Sequence, residues 1–169
     1  FDGGWCGWDA GAAVDGASAA WARASGSTTT RNTGPSGDAS GAGSYAFVES
    51  SYPNHPAVVF ELLSPEFAAA DVAVSFAYSM YGATTGSLAV DALRDYGWFG
   101  ESWDCGLWEL SGDQGDGWRR AEAVVVESAL RLRIRATTGD GMTGDMAVDD
   151  VAAAFAPTAA PTASRPPTS

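Results

Sequence analysis

The sequence predicts an all-β fold, an antiparallel sandwich of two sheets with jelly-roll-like connections. Three observations carry this reading. From Ser44 to about Phe155, apolar residues recur with a period of two, the mark of strands half-buried on one face. Between these runs lie clusters of Gly, Pro, Asn, Asp and Ser, which favour turns because they tolerate or impose the required backbone angles. No long stretch shows the 3.6-residue apolar period of a helix, and many short strands with turn-rich links are the pattern of a sandwich or jelly roll.

In chain order, residues 1–43 are rich in Gly, Ala, Ser, Thr and Asp and hold the isolated Trp5, Trp8 and Trp21, which predicts long turns with short strands. Strands are then expected at Tyr45–Glu49, Val58–Leu63, Val72–Tyr81, Leu88–Asp91, Leu107–Leu110, Ala121–Glu127, Leu130–Arg135 and Met146–Val151. The clearest is Leu130-Arg131-Leu132-Arg133-Ile134-Arg135, where three apolar side chains face one way and three arginines the other. A helix would scatter those arginines around its cylinder, so the strand is preferred. In Val72–Tyr81, Val72, Val74, Phe76, Tyr78 and Met80 share one face, while Ala and Ser dominate the other. Such a small face can lie against a second layer. Residues 1–156 form the expected domain. Residues 157–169, built from Pro, Thr, Ser and Ala with one Arg, lack the apolar surface to fold and are read as a linker or stalk, with O-linked sugar one expectation for it.

The chain has 169 residues and a formal charge of -12, enough length to bury roughly two thirds of its unfolded surface. That negative field opposes nucleic acid and anionic lipid as partners. All nine basic residues are Arg, which excludes chemistry that needs a lysine. No segment approaches the ~20 consecutive apolar residues of a spanning helix. The chain opens on Phe1 with no basic, apolar leader before it, and we expect a piece of a longer protein.

Catalytic constellations are weak. There is no Gly-x-Ser-x-Gly elbow and no His-Glu-x-x-His, and the lone His55, beside Pro53 and Pro56, reads as a loop residue. Paired acids such as Glu101 and Glu109 arise by chance among 21 carboxylates. Two cysteines allow one intrachain pairing, Cys6 with Cys105, worth up to ~4.7 kcal/mol through a loop of about 100 residues; two free thiols are the alternative. The segment Asp95-Tyr96-Gly97-Trp98-Phe99-Gly100-Glu101-Ser102-Trp103-Asp104 concentrates aromatics among Gly and acids. Tyr96, Trp98, Phe99 and Trp103 either project as a ligand-binding platform or fold back over a sheet.

Several short patterns occur in a fixed order. They include Cys6-Gly7-Trp8, Thr33-Gly34-Pro35 followed by Asp38, Gly43-Ser44-Tyr45, Phe76-Ala77-Tyr78-Ser79-Met80-Tyr81-Gly82, and Gly144-Asp145-Met146-Ala147-Val148-Asp149-Asp150-Val151. Together they resemble the MAM domain, the module shared by meprins, neuropilins and receptor tyrosine phosphatases, over residues 1 to about 156. The resemblance implies a jelly-roll-like sandwich outside the cell that serves adhesion, homophilic contact or assembly and is noncatalytic. It implies that Trp8, Trp21, Tyr45, Phe76 and Trp118 fill the core between the sheets.

The resemblance also implies a structural calcium ion. Asp2, Asp38 and Asp149 match the family's metal-binding carboxylates, and calcium selects such hard oxygen ligands. Family members more often carry Glu where Asp2 stands. The family's first disulfide would join Cys6 to a residue upstream of Phe1; its second is missing, since Ala73 and the Ala152–Phe155 stretch hold no Cys. Asp140 and Asp145 read as hairpin residues. The aromatic segment 95–104 replaces a short polar connection of the family. A protein partner or homophilic contact is therefore expected, with a carbohydrate-binding module or an accessory domain of a secreted hydrolase as alternatives.

Overall fold

The computed structural model describes residues 1–11 and 20–156; the predicted tail 157–169 and part of the opening zone lie outside the described residues. Among the described residues, nine strands form in chain order: β1 (Ala22–Ala24), β2 (Tyr45–Val48), β3 (Val59–Leu63), β4 (Ala70–Met80), β5 (Ser87–Asp95), β6 (Glu101–Ser111), β7 (Arg119–Ala129), β8 (Arg131–Thr137) and β9 (Met146–Phe155). They make a five-stranded sheet in the order β1-β2-β9-β4-β7 and a four-stranded sheet in the order β3-β8-β5-β6. Every pairing is antiparallel.

The alternation in the sequence decides which face of each strand turns inward. In β4, Val72, Val74, Phe76, Tyr78 and Met80 are all buried, and in β8 Leu132 and Ile134 face them across the core. Trp8 and Trp21 close the same cluster from the opening segment. Each such large apolar side chain removed from water contributes roughly 1.5–3 kcal/mol, which is why the pattern fixes strand orientation.

All eight expected strands are present, several of them longer than their signal. Residues 88–91 lie in the first half of β5 and residues 107–110 at the end of β6, because pairing in a hairpin extends strands through residues with no strand preference of their own, such as Asp95 and Asp104, with a bulge in β6 opposite Asp91. The short β1 has no periodic signal. Two expected core residues sit elsewhere. Tyr45 lies on the face of β2 opposite the core residues Ala46 and Val48, edge-on to Trp118 at 5.7 Å between ring centres. Its hydroxyl donates to the Gly26 carbonyl at 2.7 Å, and Trp118 Nε1–H donates to the Gly37 carbonyl at 2.8 Å. These two rings anchor the long 25–44 connection onto the five-stranded sheet rather than filling the space between sheets.

Among the described residues, no helix is long and apolar enough to cross a membrane.

Candidate functional site

The fold brings the three predicted carboxylates to one side of the five-stranded sheet. Gly43 makes the approach possible: a Cβ there would collide with Asp2 Oδ1 and lie 2.8 Å from Asp38 Oδ2, so both oxygens flank the hollow left by the missing side chain. Asp2 Oδ1 accepts from the Ser44 N–H at 2.6 Å. Asp38 Oδ2 accepts from the Ser40 hydroxyl at 2.6 Å, which with the Gly43, Gly41 and Ser40 backbone N–H groups holds the Asp38 carboxyl below the usual range against the upward pull of burial. Asp149, on β9, is fixed one residue away: its Oδ2 accepts from the Ala39 N–H at 3.0 Å, and its Oδ1 accepts from the Asp150 N–H at 2.8 Å and lies 3.5 Å from the Phe1 nitrogen. Three segments distant in sequence thus meet here. Among the described residues, however, no three His, Cys, Asp or Glu side chains close on one point as a ligand group.

The aromatic segment is a hairpin, not a ten-residue loop. Asp95 ends β5, Glu101 begins β6, and a single 3-10 turn over Gly97–Phe99 joins them. The tip is braced by bonds from the Gly97 N–H to Asp95 Oδ1 at 2.8 Å, from the Tyr96 N–H to the Gly100 carbonyl at 2.9 Å, and from the Gly100 N–H to the Gly97 carbonyl at 2.9 Å. The Tyr96 hydroxyl donates to Asp104 Oδ1 at 2.6 Å, which raises the pKa of that phenol, and Asp104 in turn pairs with Arg94 at 3.2 Å. From this frame Trp98 projects 98% exposed and Phe99 89% exposed. Trp103 does not join them. It stands on β6 with the Arg133 guanidinium 4.2 Å from its ring centre, so one of its faces is already taken by a cation. The projecting and folded-back readings thus divide along the segment, Trp98 and Phe99 to the first and Trp103 to the second.

The arginine stripe of β8 is less solvated than its period suggests. Asp91 on β5 is fully buried and accepts from Arg133 Nε at 2.9 Å and Arg135 Nε at 2.8 Å, and Arg133 also reaches Glu61. Burial pushes the Asp91 pKa upward, but the hydrogen bonds from Arg135, the Gly106 N–H and Arg133 outweigh it and hold the carboxyl below its usual range. A second node joins Asp145 to the β2–β3 connection. Asp145 is completely buried; its Oδ1 accepts from both the N–H (2.9 Å) and the hydroxyl (3.0 Å) of Ser50, and Thr33 Oγ1 accepts from its N–H at 2.7 Å. Burial, with the charge of nearby Glu49, pushes its pKa up to about 6. Glu49 itself is drawn upward by burial but held down by hydrogen bonds from Ser51 and Thr29. Asp145 is thus a buried tether rather than a hairpin residue.

The cysteine pairing is not formed. Cys6 and Cys105 are both exposed and free; Cys6 Sγ lies 3.8 Å from the Gly4 carbonyl oxygen, and Cys105 Sγ is 3.6 Å from Arg133 Nη2. Glu101 and Glu109 stand eight residues apart on β6, roughly 25 Å at the strand rise. That is well beyond the ~5–9.5 Å separation of glycosidase carboxylates. Asp91 is the residue that reading from sequence overlooked, and Asp145 the one it placed in a hairpin turn. A signal for Asp91 exists: it is a lone acid within the apolar run Leu88–Leu93, beside a strand of alternating arginines. Asp145 carries no such local mark.

These features define a two-sheet antiparallel module with a carboxylate cluster on one flank and a projecting aromatic hairpin. The family model for the MAM domain, meprin/A5/mu, matches residues 1–157, and the chain belongs to that family. It is 36% identical over 126 residues to human MAM domain-containing glycosylphosphatidylinositol anchor protein 1, covering 71% of this chain and 13% of that protein. Neuropilin-1 of Xenopus laevis is 31% identical over 123 residues, covering 70% of this chain and 13% of that one. The chain therefore spans about an eighth of the length of such relatives. Among solved structures, the K3 cleaved adhesin domain of Lys-gingipain from Porphyromonas gingivalis w83 shares the fold at TM-score 0.50 with 14% identity, covering 79% of this chain and 90% of that one. Domains of this family are extracellular adhesion and interaction modules, and this one is extracellular.

Proposed function

We propose that this domain is a noncatalytic adhesion module of a larger multidomain protein, engaging a protein partner through the β5–β6 hairpin and braced by calcium at the Asp2–Asp38–Asp149 flank. The observation that carries the first part is the display of Trp98 and Phe99 on a hydrogen-bonded tip. Large rings left in water are costly unless used, and fixed aromatics lose little conformational entropy when a partner covers them. The test is binding of the purified chain to cells or to beads bearing a second copy. Trp98→Ala and Phe99→Ala should abolish binding with the fold intact; retained binding by both variants overturns the reading.

The convergence of carboxylates beside Gly43 supports the calcium part. Asp2 Oδ1 and Asp38 Oδ2 both close on that glycine and Asp149 lies adjacent, so an ion held between these oxygens would tie the amino-terminal segment, the 37–44 loop and β9 together while supplying charge neutralisation, not chemistry. A carbohydrate ligand is a second reading, favoured by the free ring face of Trp98. Glycan-array binding lost on Trp98→Ala would select it over a protein partner.

A further inference from the structure

At the foot of the aromatic hairpin the structure forms a small recess of about 130 Å³ lined by Glu66, Phe67, Leu93, Glu101 and Leu130. Main-chain bonds hold its walls: the Phe67 N–H donates to the Leu130 carbonyl at 2.7 Å, and the Leu130 N–H donates to the Leu93 carbonyl at 2.8 Å. Three walls are apolar and two are carboxylates. Glu66 and Glu101 are both exposed, and neither has an ion-pair partner among the described residues. Glu101 directly follows the tip, two residues after the exposed Phe99.

We infer that this recess receives a lysine or arginine side chain from a protein partner, with Trp98 as the neighbouring aromatic contact; the assignment rests on the hairpin being the contact surface. The chemistry of the walls selects the occupant. A long basic side chain has an apolar stem that suits Phe67, Leu93 and Leu130, and a cationic head that suits two uncompensated carboxylates. A ring such as Trp98 adds cation–π attraction for a second basic group. Phosphate-bearing ligands meet the wrong charge, and a neutral sugar leaves both carboxylates unneutralised. The chain's charge of -12 attracts a basic partner and accelerates its encounter.

The probe is a fluorescently labelled octalysine peptide, titrated by anisotropy against the 169-residue chain, with octaglutamate as control. Glu66→Gln with Glu101→Gln should weaken octalysine binding by about tenfold or more, as should Trp98→Ala, while Glu122→Gln with Glu127→Gln on β7 changes it less than about twofold. All five positions are exposed, and thermal unfolding checks that each variant folds. Equal weakening by the β7 pair means diffuse charge attraction and overturns the inference, as does failure of the folded chain to bind octalysine. If Trp98→Ala and Phe99→Ala abolish cell binding while the Glu66/Glu101 pair leaves it unchanged, the recess assignment falls and the hairpin reading stands.

Discussion

Asp91 and Asp145 are both buried acids, yet their surroundings drive them in opposite directions. Two guanidiniums face Asp91, so its charged form is the stable one in the fold; Asp91→Ala would strand Arg133 and Arg135 and should cost about 3–5 kcal/mol in a denaturant titration. Among the described residues, no cation pairs with Asp145 and its Oδ2 has no hydrogen-bond donor. Its folded pKa of about 6 exceeds the roughly 3.9 of an unfolded Asp, so the native state binds the proton more tightly. Its contribution to stability is therefore full below about pH 4 and is lost as pH rises through 6. Asp145→Asn keeps an acceptor for Ser50 and mimics the protonated acid. The variant-minus-wild-type difference in unfolding free energy should rise between about pH 4 and 6; a flat difference would show that Asp145 titrates normally.

Strand β8 shows how an element reads as one pattern and works as two surfaces. Its inward residues Leu132 and Ile134 are fully buried, and its outward arginines clamp β5 and shield the Trp103 ring. Ile134→Ala should cost about 2–5 kcal/mol, because the methyls removed leave a cavity in a packed layer. Val125→Ala on edge strand β7, where the side chain is 61% exposed, should stay within about 0.5 kcal/mol. Equal losses at the two positions in chemical denaturation would contradict the two-layer packing. Close approach matters as well. A Cβ at Gly86 would collide with the Thr137 carbonyl oxygen where β5 and β8 begin their pairing, so Gly86→Ala should displace that end of the sheet and lower the melting temperature.

For the molecule as a whole, the amino-terminal segment is the part most exposed to the proposed metal. It returns from the first residue to β9, held by the Phe1 nitrogen beside Asp149, the Asp2 carboxylate accepting from the Ser44 N–H, and Arg23 donating to the Asp2 carbonyl at 3.1 Å. An ion that binds only the native state stabilises by ~2.7 kcal/mol at a hundredfold excess over its dissociation constant. Excess calcium should therefore raise the melting temperature over chelator, and Gly43→Ala, which fills the hollow, should remove the difference. Identical melting curves for the unaltered chain in calcium and chelator would rule the ion out.

The period-two pattern by itself determined the two-layer architecture, because burial of alternate side chains dominates strand energetics and leaves a direct trace in residue order. It marked the core positions of β4 and β8, and the ordered short motifs marked the family. Local composition exposed the aromatic cluster, and the family resemblance marked the three carboxylates as candidates. The tertiary structure decided the rest. Whether a ring projects or is covered depends on what crosses above it, so Trp98 and Trp103, five residues apart, have opposite fates. Whether an acid is a ligand, a clamp or a tether depends on groups brought from far along the chain, as Ser50 is to Asp145 and Gly43 to Asp2. Those meetings follow from strand order and register, which are set by long-range pairing and leave no mark in any local stretch of sequence.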